Sequence, residues 1–505
     1  MRRTASVLPL ALLAVLVGAA TAPAASRLVV KGHGYGHGIG MSQYGALGFA
    51  QHGSSYRDIL GHYYDQTQVT QLGAKPDVRV LLQSARRVVV SGVVAAGPRK
   101  LKPTSTYSAR AASGGQIVLI SPSGRHMGTY PAPLRFAAPS DGALKLRGAA
   151  ANGLRDGSYR GAIEVRPSSS GVMAINAVGL EDYVRGVVSA ESPPSWPAEA
   201  LKAQAVAARS YAVTSNVGSA TDGIDQYADT RSQMYKGVAA EGPSTDAAVS
   251  ATAGEVVTQG GQPVTTYFFS TSGGHTENIE FSFVGALPRT WLKGVDDPYD
   301  AVSPRHTWGP FTFTQSAAQS KLKGLVRGRF RGITVLQRGT SPRIVRAEVD
   351  GTNGVTPITG PELRKRFGLF DTWASFTYIS SDAKQPKTGA GDGDPAAGGS
   401  TPASSTTPGA TTDGGSGGTA LPAGVDTTGG QAASIARLPK KVLTGSIRPA
   451  TRGRTLKVQR RDAGRWRTVG TTTVRRYGSY AASLPGPGAY RVSLGDVAGP
   501  TVNVR

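Results

Sequence analysis

Between Ala383 and Gly430 the chain is almost wholly Gly, Ser, Thr, Pro, Ala and Asp, as in "GDGDPAAGGSTPASSTTPGATTDGGSGG". So little apolar surface cannot offset the entropy of ordering such a segment. It is therefore expected to be a flexible linker, spanning on the order of 40 Å. A chain interrupted in this way must build two separate cores. Four parts follow: a leader over 1–25, a main region over 26–382, the linker over 383–430 and a terminal module over 431–505.

The terminal module alternates apolar and polar residues in short runs ("VLTGSI", "TLKVQRR", "RWRTVGTTTV", "SYAASL", "AYRVSL", "TVNVR") divided by Gly, Pro and Asp. That period of two predicts a small antiparallel β-sandwich, similar in general kind to the immunoglobulin-like or prealbumin-like modules that end many exported bacterial proteins. Residues 431–505 hold 15 Lys and Arg against two acids, Asp462 and Asp496, within a chain whose net charge is +24. Such a balance points to a polyanionic partner.

The opening residues indicate which one. Arg2 and Arg3 precede an apolar run from Val7 to Ala20 and a small-residue exit at Ala22-Pro23-Ala24, the pattern of a secretory signal peptide. The protein is expected outside the membrane or at the cell wall, where an anionic wall polymer is the natural partner of the basic module and nucleic acid is not expected. Cysteine is absent. Neither disulfides nor thiolate metal sites are open to the fold, which must rest on its cores.

In the main region, strand-like segments ("VRVLLQ", "RRVVVSGVV", "GQIVLISP", "GAIEVRP", "GVMAINAVG") precede two helices, and more strands follow ("GEVVTQG", "PVTTYFFST", "GITVLQR", "IVRAEVDG"). Without βαβ alternation, this is an α+β fold, strand-rich with a few central helices. The helices lie in "LEDYVRGVVSAESPPSWPAEALKAQAVAARSYAV", Leu180 to Val213. Apolar spacing predicts one helix over Glu181–Ala190 and a second from Ala198, broken apart by Pro193, Pro194 and Pro197. Glu191 thus stands at a helix end before a rigid turn, where a carboxyl group can be held at the edge of a cleft. On the second helix Lys202 and Arg209 share one face, and Gln204 and Tyr211 share another about 200° away. One pair therefore frames the site and the other braces the fold.

These residues closely resemble the family of stage II sporulation protein D (SpoIID) and the amidase enhancer LytB. Further matches lie in "DTRSQMYKG", "GEVVT", "YFFSTSGGHTEN" and "ITGPELRKRFGL". In the family's usual order the Gly-His-Gly and Met-Ser-Gln-Tyr-Gly segment comes last. Here "GHGYGHGIGMSQYGA" (Gly32–Ala46) comes first, so the chain resembles a circular permutant. The strand Arg27–Gly32 should then lie beside or continue from Ala374–Ile379, bringing the glycine loop to the catalytic region and leaving its backbone open to a polymer.

The resemblance implies a peptidoglycan lytic transglycosylase acting on MurNAc-GlcNAc strands. Glu191 matches the catalytic glutamate, first acid and then base, which requires a carboxyl pKa well above its usual range. Substrate contacts are expected from Lys202, Gln204, Arg209, Tyr211, Ser270, Ser272, Gly273, His37, Ser42, Gln43 and Tyr44. No cofactor is expected. His33 and His37 are too few for a tetrahedral zinc site, and Ser270, Ser272 and His275 lack a G-x-S-x-G elbow for a serine hydrolase. The alternative that the resemblance carries is a non-catalytic wall-binding enhancer of an N-acetylmuramoyl-L-alanine amidase.

Overall fold

The computed structural model describes residues 25–504 except 75, 216 and 385–440. The leader, apart from Ala25, and nearly all of the linker lie outside the described residues. The chain divides into two compact units, Leu28–Tyr378 and a second that contains Ile379–Arg505. Among the described residues, no helix is long and apolar enough to cross a membrane.

The larger unit is α+β. Its centre is a seven-stranded sheet in which strand Gly171–Gly179 lies between Asp77–Ala85 and Ala162–Ser168, antiparallel to both. Asp77–Ala85 alternates, burying Val78, Val80 and Leu82. Gly171–Gly179 is buried from Val172 through Val178, because it is covered on both faces. A six-stranded sheet, including Val88–Ser91, Thr106–Ala111 and Gln116–Ile120, shares the same core.

Helices occur at more places than the sequence spacing suggested. Helix α1 (Gln43–Gln51) and helix α2 (Tyr56–Tyr63) follow the glycine-rich segment. Helix α3 (Leu180–Glu191) continues directly from the central strand, and helix α4 (Ala198–Thr214) follows the proline turn. Helix α5 (Pro243–Ala251) packs with α4. Both ends of α3 and the start of α4 agree with expectation within one residue. By contrast, "PVTTYFFST" is strand only at Pro263 and at Phe268–Phe269, the latter pairing in parallel with Met41–Ser42.

The permuted ends meet. His33 N–H donates to Trp373 O at 3.0 Å and Ser375 Oγ to Lys31 O at 3.4 Å. The pairing runs in opposite chain directions, so strand Ala25–His33 lies antiparallel beside the strand that begins at Ala374.

The smaller unit is an antiparallel β module. Thr455–Asp462 lies between Arg465–Thr473 and Gly488–Leu494, and Val442–Arg448 pairs with Ser479–Ser483. Leu443, Ile447, Leu456, Val458, Tyr480, Tyr490 and Val492 fill its core. Ile379 joins that core as well, and Ser381 Oγ bonds Tyr480 Oη at 2.6 Å. The module therefore begins before the linker, because Val442–Arg448 takes residues after Tyr378 as its second strand neighbour.

Candidate functional site

Glu191 is the last residue of α3, and two prolines directly after Ser192 prevent the helix from continuing. The turn is closed by Trp196 N–H donating to Pro193 O at 3.1 Å. The side chain of Glu191 is not loose in solvent. Its Oε1 accepts from the Met234 N–H at 2.7 Å, and its Oε2 from Gln43 Nε2 at 3.4 Å. The same Gln43 amide reaches Glu191 O at 3.2 Å and Gln204 Oε1 at 3.3 Å. Residues 43, 191, 204 and 234 are thus joined in one small network.

Gln43 arrives there through an arc of glycines. Gly34, Gly36, Gly38 and Gly40 all have positive φ, from 72° to 139°. At Gly40 a Cβ would stand 2.1 Å from Tyr267 O, and at Gly38 2.5 Å from Arg343 Nε. The arc is packed against residues 267–273 and the buried Arg343–Asp371 pair. Its glycines serve close internal packing, and Gly34, Gly38 and Gly40 are buried. The expectation that this backbone lies open to a polymer is corrected accordingly.

Ser42 caps α1 by accepting from the Gly45 N–H, and its Oγ donates to Asp300 Oδ1 at 2.9 Å. Asp300 also accepts from the backbone N–H groups of Ser272 and Gly273 at 2.8 and 2.9 Å and lies 3.0 Å from His306 Nδ1. One buried carboxylate therefore fastens the segment bearing Gln43 to the Ser272-Gly273 loop. Beside it, Asp297 is buried and its pKa is raised to about 7, first by burial and then by the charge of Asp300.

Burial also raises the pKa of Glu191 above the ordinary carboxylate value. The Met234 N–H, the Gln43 amide and the charge of Lys236 pull in the other direction without reversing it. Such a carboxyl group can carry a proton and release it. Nearby acids are already engaged: Glu181 by Arg209, Asp182 by Arg185, and Glu199 by Lys202 at 2.7 Å and the Tyr56 N–H.

Residues 168–259 match the profile of the stage II sporulation protein family, SpoIID. It is this segment that carries the chain's likeness to SpoIID. Stage II sporulation protein D of Bacillus subtilis is 29% identical over 244 residues, covering 42% of this chain and 69% of that protein. The namesake of Bacillus amyloliquefaciens is 31% identical over 211 residues, covering 39% of this chain and 59% of its own. The amidase enhancer of Bacillus subtilis is 30% identical over 161 residues, 28% of this chain and 22% of that protein. For the last two, this chain spans less than two thirds of the relative.

Within the SpoIID segment, α4 divides its four expected contacts. Gln204 is at the site, and its amide nitrogen is buried without a partner among the described residues. Arg209 is fully buried: it pairs with Glu181 at 2.8 Å and donates to Glu255 O at 3.1 Å. It is a brace, since no sugar can reach it. Lys202 is held by Glu199 and lies over the Tyr56 ring, while Tyr211 packs edge-on against Tyr267 and Phe268.

Outside the SpoIID segment, Tyr44 meets Trp196 edge-on at 5.2 Å, placing two rings beside the turn that carries Glu191. Ser270 accepts the Tyr44 N–H through its carbonyl. Ser42, Ser272 and Gly273 are turned to Asp300, so their role is to hold the loop. His37 packs among Tyr267, Phe269 and Phe283, its pKa lowered to about 3 by burial. It is corrected from a sugar contact to a neutral packing residue. Sequence spacing missed Asp300 and the Met234 N–H. The motif "SQMY" marked the neighbourhood of the latter, but a backbone donor leaves no side-chain signature.

Proposed function

We propose that this protein cleaves peptidoglycan glycan strands by lytic transglycosylation, with Glu191 as the single catalytic carboxyl group. One observation carries the reading: Glu191 is half-buried, its pKa is raised by burial, and it is held by Met234 N–H and by Gln43 from the far end of the sequence. Protonated, it gives its proton to the oxygen between the muramoyl and glucosaminyl units, and that bond breaks. As carboxylate it then takes the proton from the muramoyl 6-hydroxyl as this oxygen bonds to C1, leaving a 1,6-anhydro end.

Ordinary glycoside hydrolysis needs a second carboxylate to activate water or form a covalent bond. The engagement of Glu181, Asp182 and Glu199 in ion pairs favours the one-carboxyl route. Gln204, buried, accepts from Gln43 Nε2 at 3.3 Å and so helps to hold Gln43 against Glu191, while Tyr44 and Trp196 offer rings for sugar faces. The likeness to stage II sporulation protein D and to the amidase enhancer supports a cell-wall role linked to sporulation, and the expected setting is outside the membrane.

A second reading rests on the relative named amidase enhancer. There the same groove grips a glycan without cutting it and assists a wall amidase. Digestion of purified glycan strands with the protein and with Glu191→Gln, followed by mass measurement of the ends, decides between them. Anhydro ends made by the native protein and lost in the variant are expected. Reducing ends would indicate a hydrolase, and co-sedimentation without cleavage would indicate the enhancer.

A further inference from the structure

The terminal module carries two adjoining hollows that the glycan-cleaving site does not use. The first, about 400 Å³, is lined by Arg452, Gly453, Thr473, Val474, Arg475 and Arg476. Three exposed arginines and no acid line it. Among the described residues Arg452 and Arg475 form no ion pair, and Arg476 lies over the Tyr477 ring at 5.1 Å. Uncompensated arginines held around one hollow are built for an anion, and their planar forks match phosphate oxygens.

The second hollow, about 450 Å³, shares Arg475 with the first. Its lining is rich in hydroxyl groups: Ser380, Thr444, Ser479 and Tyr480, with Asp382 as its acid. Ser380 and Ser446 share a hydrogen bond of 2.9 Å, and Tyr480 Oη donates to Ser380 O at 2.8 Å. These hydroxyls keep lone pairs for further donors. A cationic hollow running into a hydroxyl-lined one matches a ligand that places a phosphate beside a hydroxylated unit.

The geometry points to a binding site for a linear polyol-phosphate polymer, with the phosphodiester at Arg452, Arg475 and Arg476 and the polyol along Ser380, Thr444 and Ser479. Nucleic acid, which shares the phosphodiester, fits less well. Single strands are held by rows of open aromatic faces on which successive bases stack; here Arg491 lies over Trp466 at 4.2 Å, and Tyr477, 71% exposed, is a single open ring beside the arginines. This inference does not use the cleavage reading, and a Glu191→Gln protein should bind as the native one does.

The test is binding of fluorescently labelled, lipid-free poly(glycerol phosphate) to the full chain, followed by anisotropy across a salt series. Native protein should bind, more weakly as salt rises. Changing Arg452, Arg475 and Arg476 together to Gln should weaken binding by about tenfold or more, and Arg475→Gln alone by a smaller factor. A control with equal charge removed, Arg461, Arg465 and Arg467 to Gln, should stay within about threefold. Equal loss in the control would reduce the effect to diffuse charge and overturn the site. Equal binding of polyuridylate through the same three arginines would replace it with a nucleic-acid site, and no binding by the native chain would end it.

Discussion

At Glu191 desolvation and hydrogen bonding oppose each other, and desolvation prevails. The folded pKa lies above the unfolded one, so the folded state binds more protons between the two values. Stability therefore falls as pH rises from the unfolded pKa through the folded pKa, and the cost is complete above it. Glu191→Gln removes that cost. Its melting temperature relative to the native protein should rise across this window and then level off, while cleavage is lost; calorimetry over a pH series checks it. Gln43→Leu removes a donor that favours the carboxylate, so the pKa of Glu191 should rise further. The alkaline limb of the cleavage profile should then move to higher pH, with a lower maximal rate. Glu191 was legible from its place before the prolines. Met234 was not, because the group that matters is a peptide N–H, and Asp300 sits in "DDPYD", outside every motif quoted for the family.

The elements that bring Gln43 to Glu191 depend on glycine for a different reason than chain freedom alone. Helix α1 contains Gly45 and Gly48, where a Cβ would stand 2.0 Å from Tyr63 Oη and 2.4 Å from Tyr299 O. Two glycines weaken a helix intrinsically, which hid α1 from spacing rules; Ser42 at its cap and its buried face restore it. Gly40→Ala, at φ +72° against Tyr267 O, should cost about 2 kcal/mol or more, measured by urea denaturation. The α3–α4 pair was readable because its apolar spacing is strong and its breaks are prolines. The face of α4 that braces the fold was undecided until Glu181 was found on Arg209. Arg209→Leu should cost about 3 kcal/mol, as when one partner of a buried pair is removed, and a cleavage assay on the fraction still folded should show an unchanged KM.

Across the whole molecule, the contacts His33–Trp373 and Lys31–Ser375 make the first strand and the one beginning at Ala374 an antiparallel pair. By the same register Leu28 faces Tyr378, so a short turn could join them. A chain running 74–378, a turn, then 28–72 should fold and cleave like the 28–378 unit in native order; loss of the far-UV spectrum would show that the present order matters. The order of motifs revealed this adjacency, since the same surfaces must meet whichever end comes first. The start of the terminal module was hidden, because residues 379–384 read equally well as the end of either unit. In either order, one carboxyl group must hold its proton beside Gln43. The direct measurement is a ¹³C titration of the Glu191 carboxyl, assigned by its absence in Glu191→Gln. A midpoint above the ordinary glutamate value of 4.5 is the predicted result, and a midpoint at or below it would contradict the mechanism.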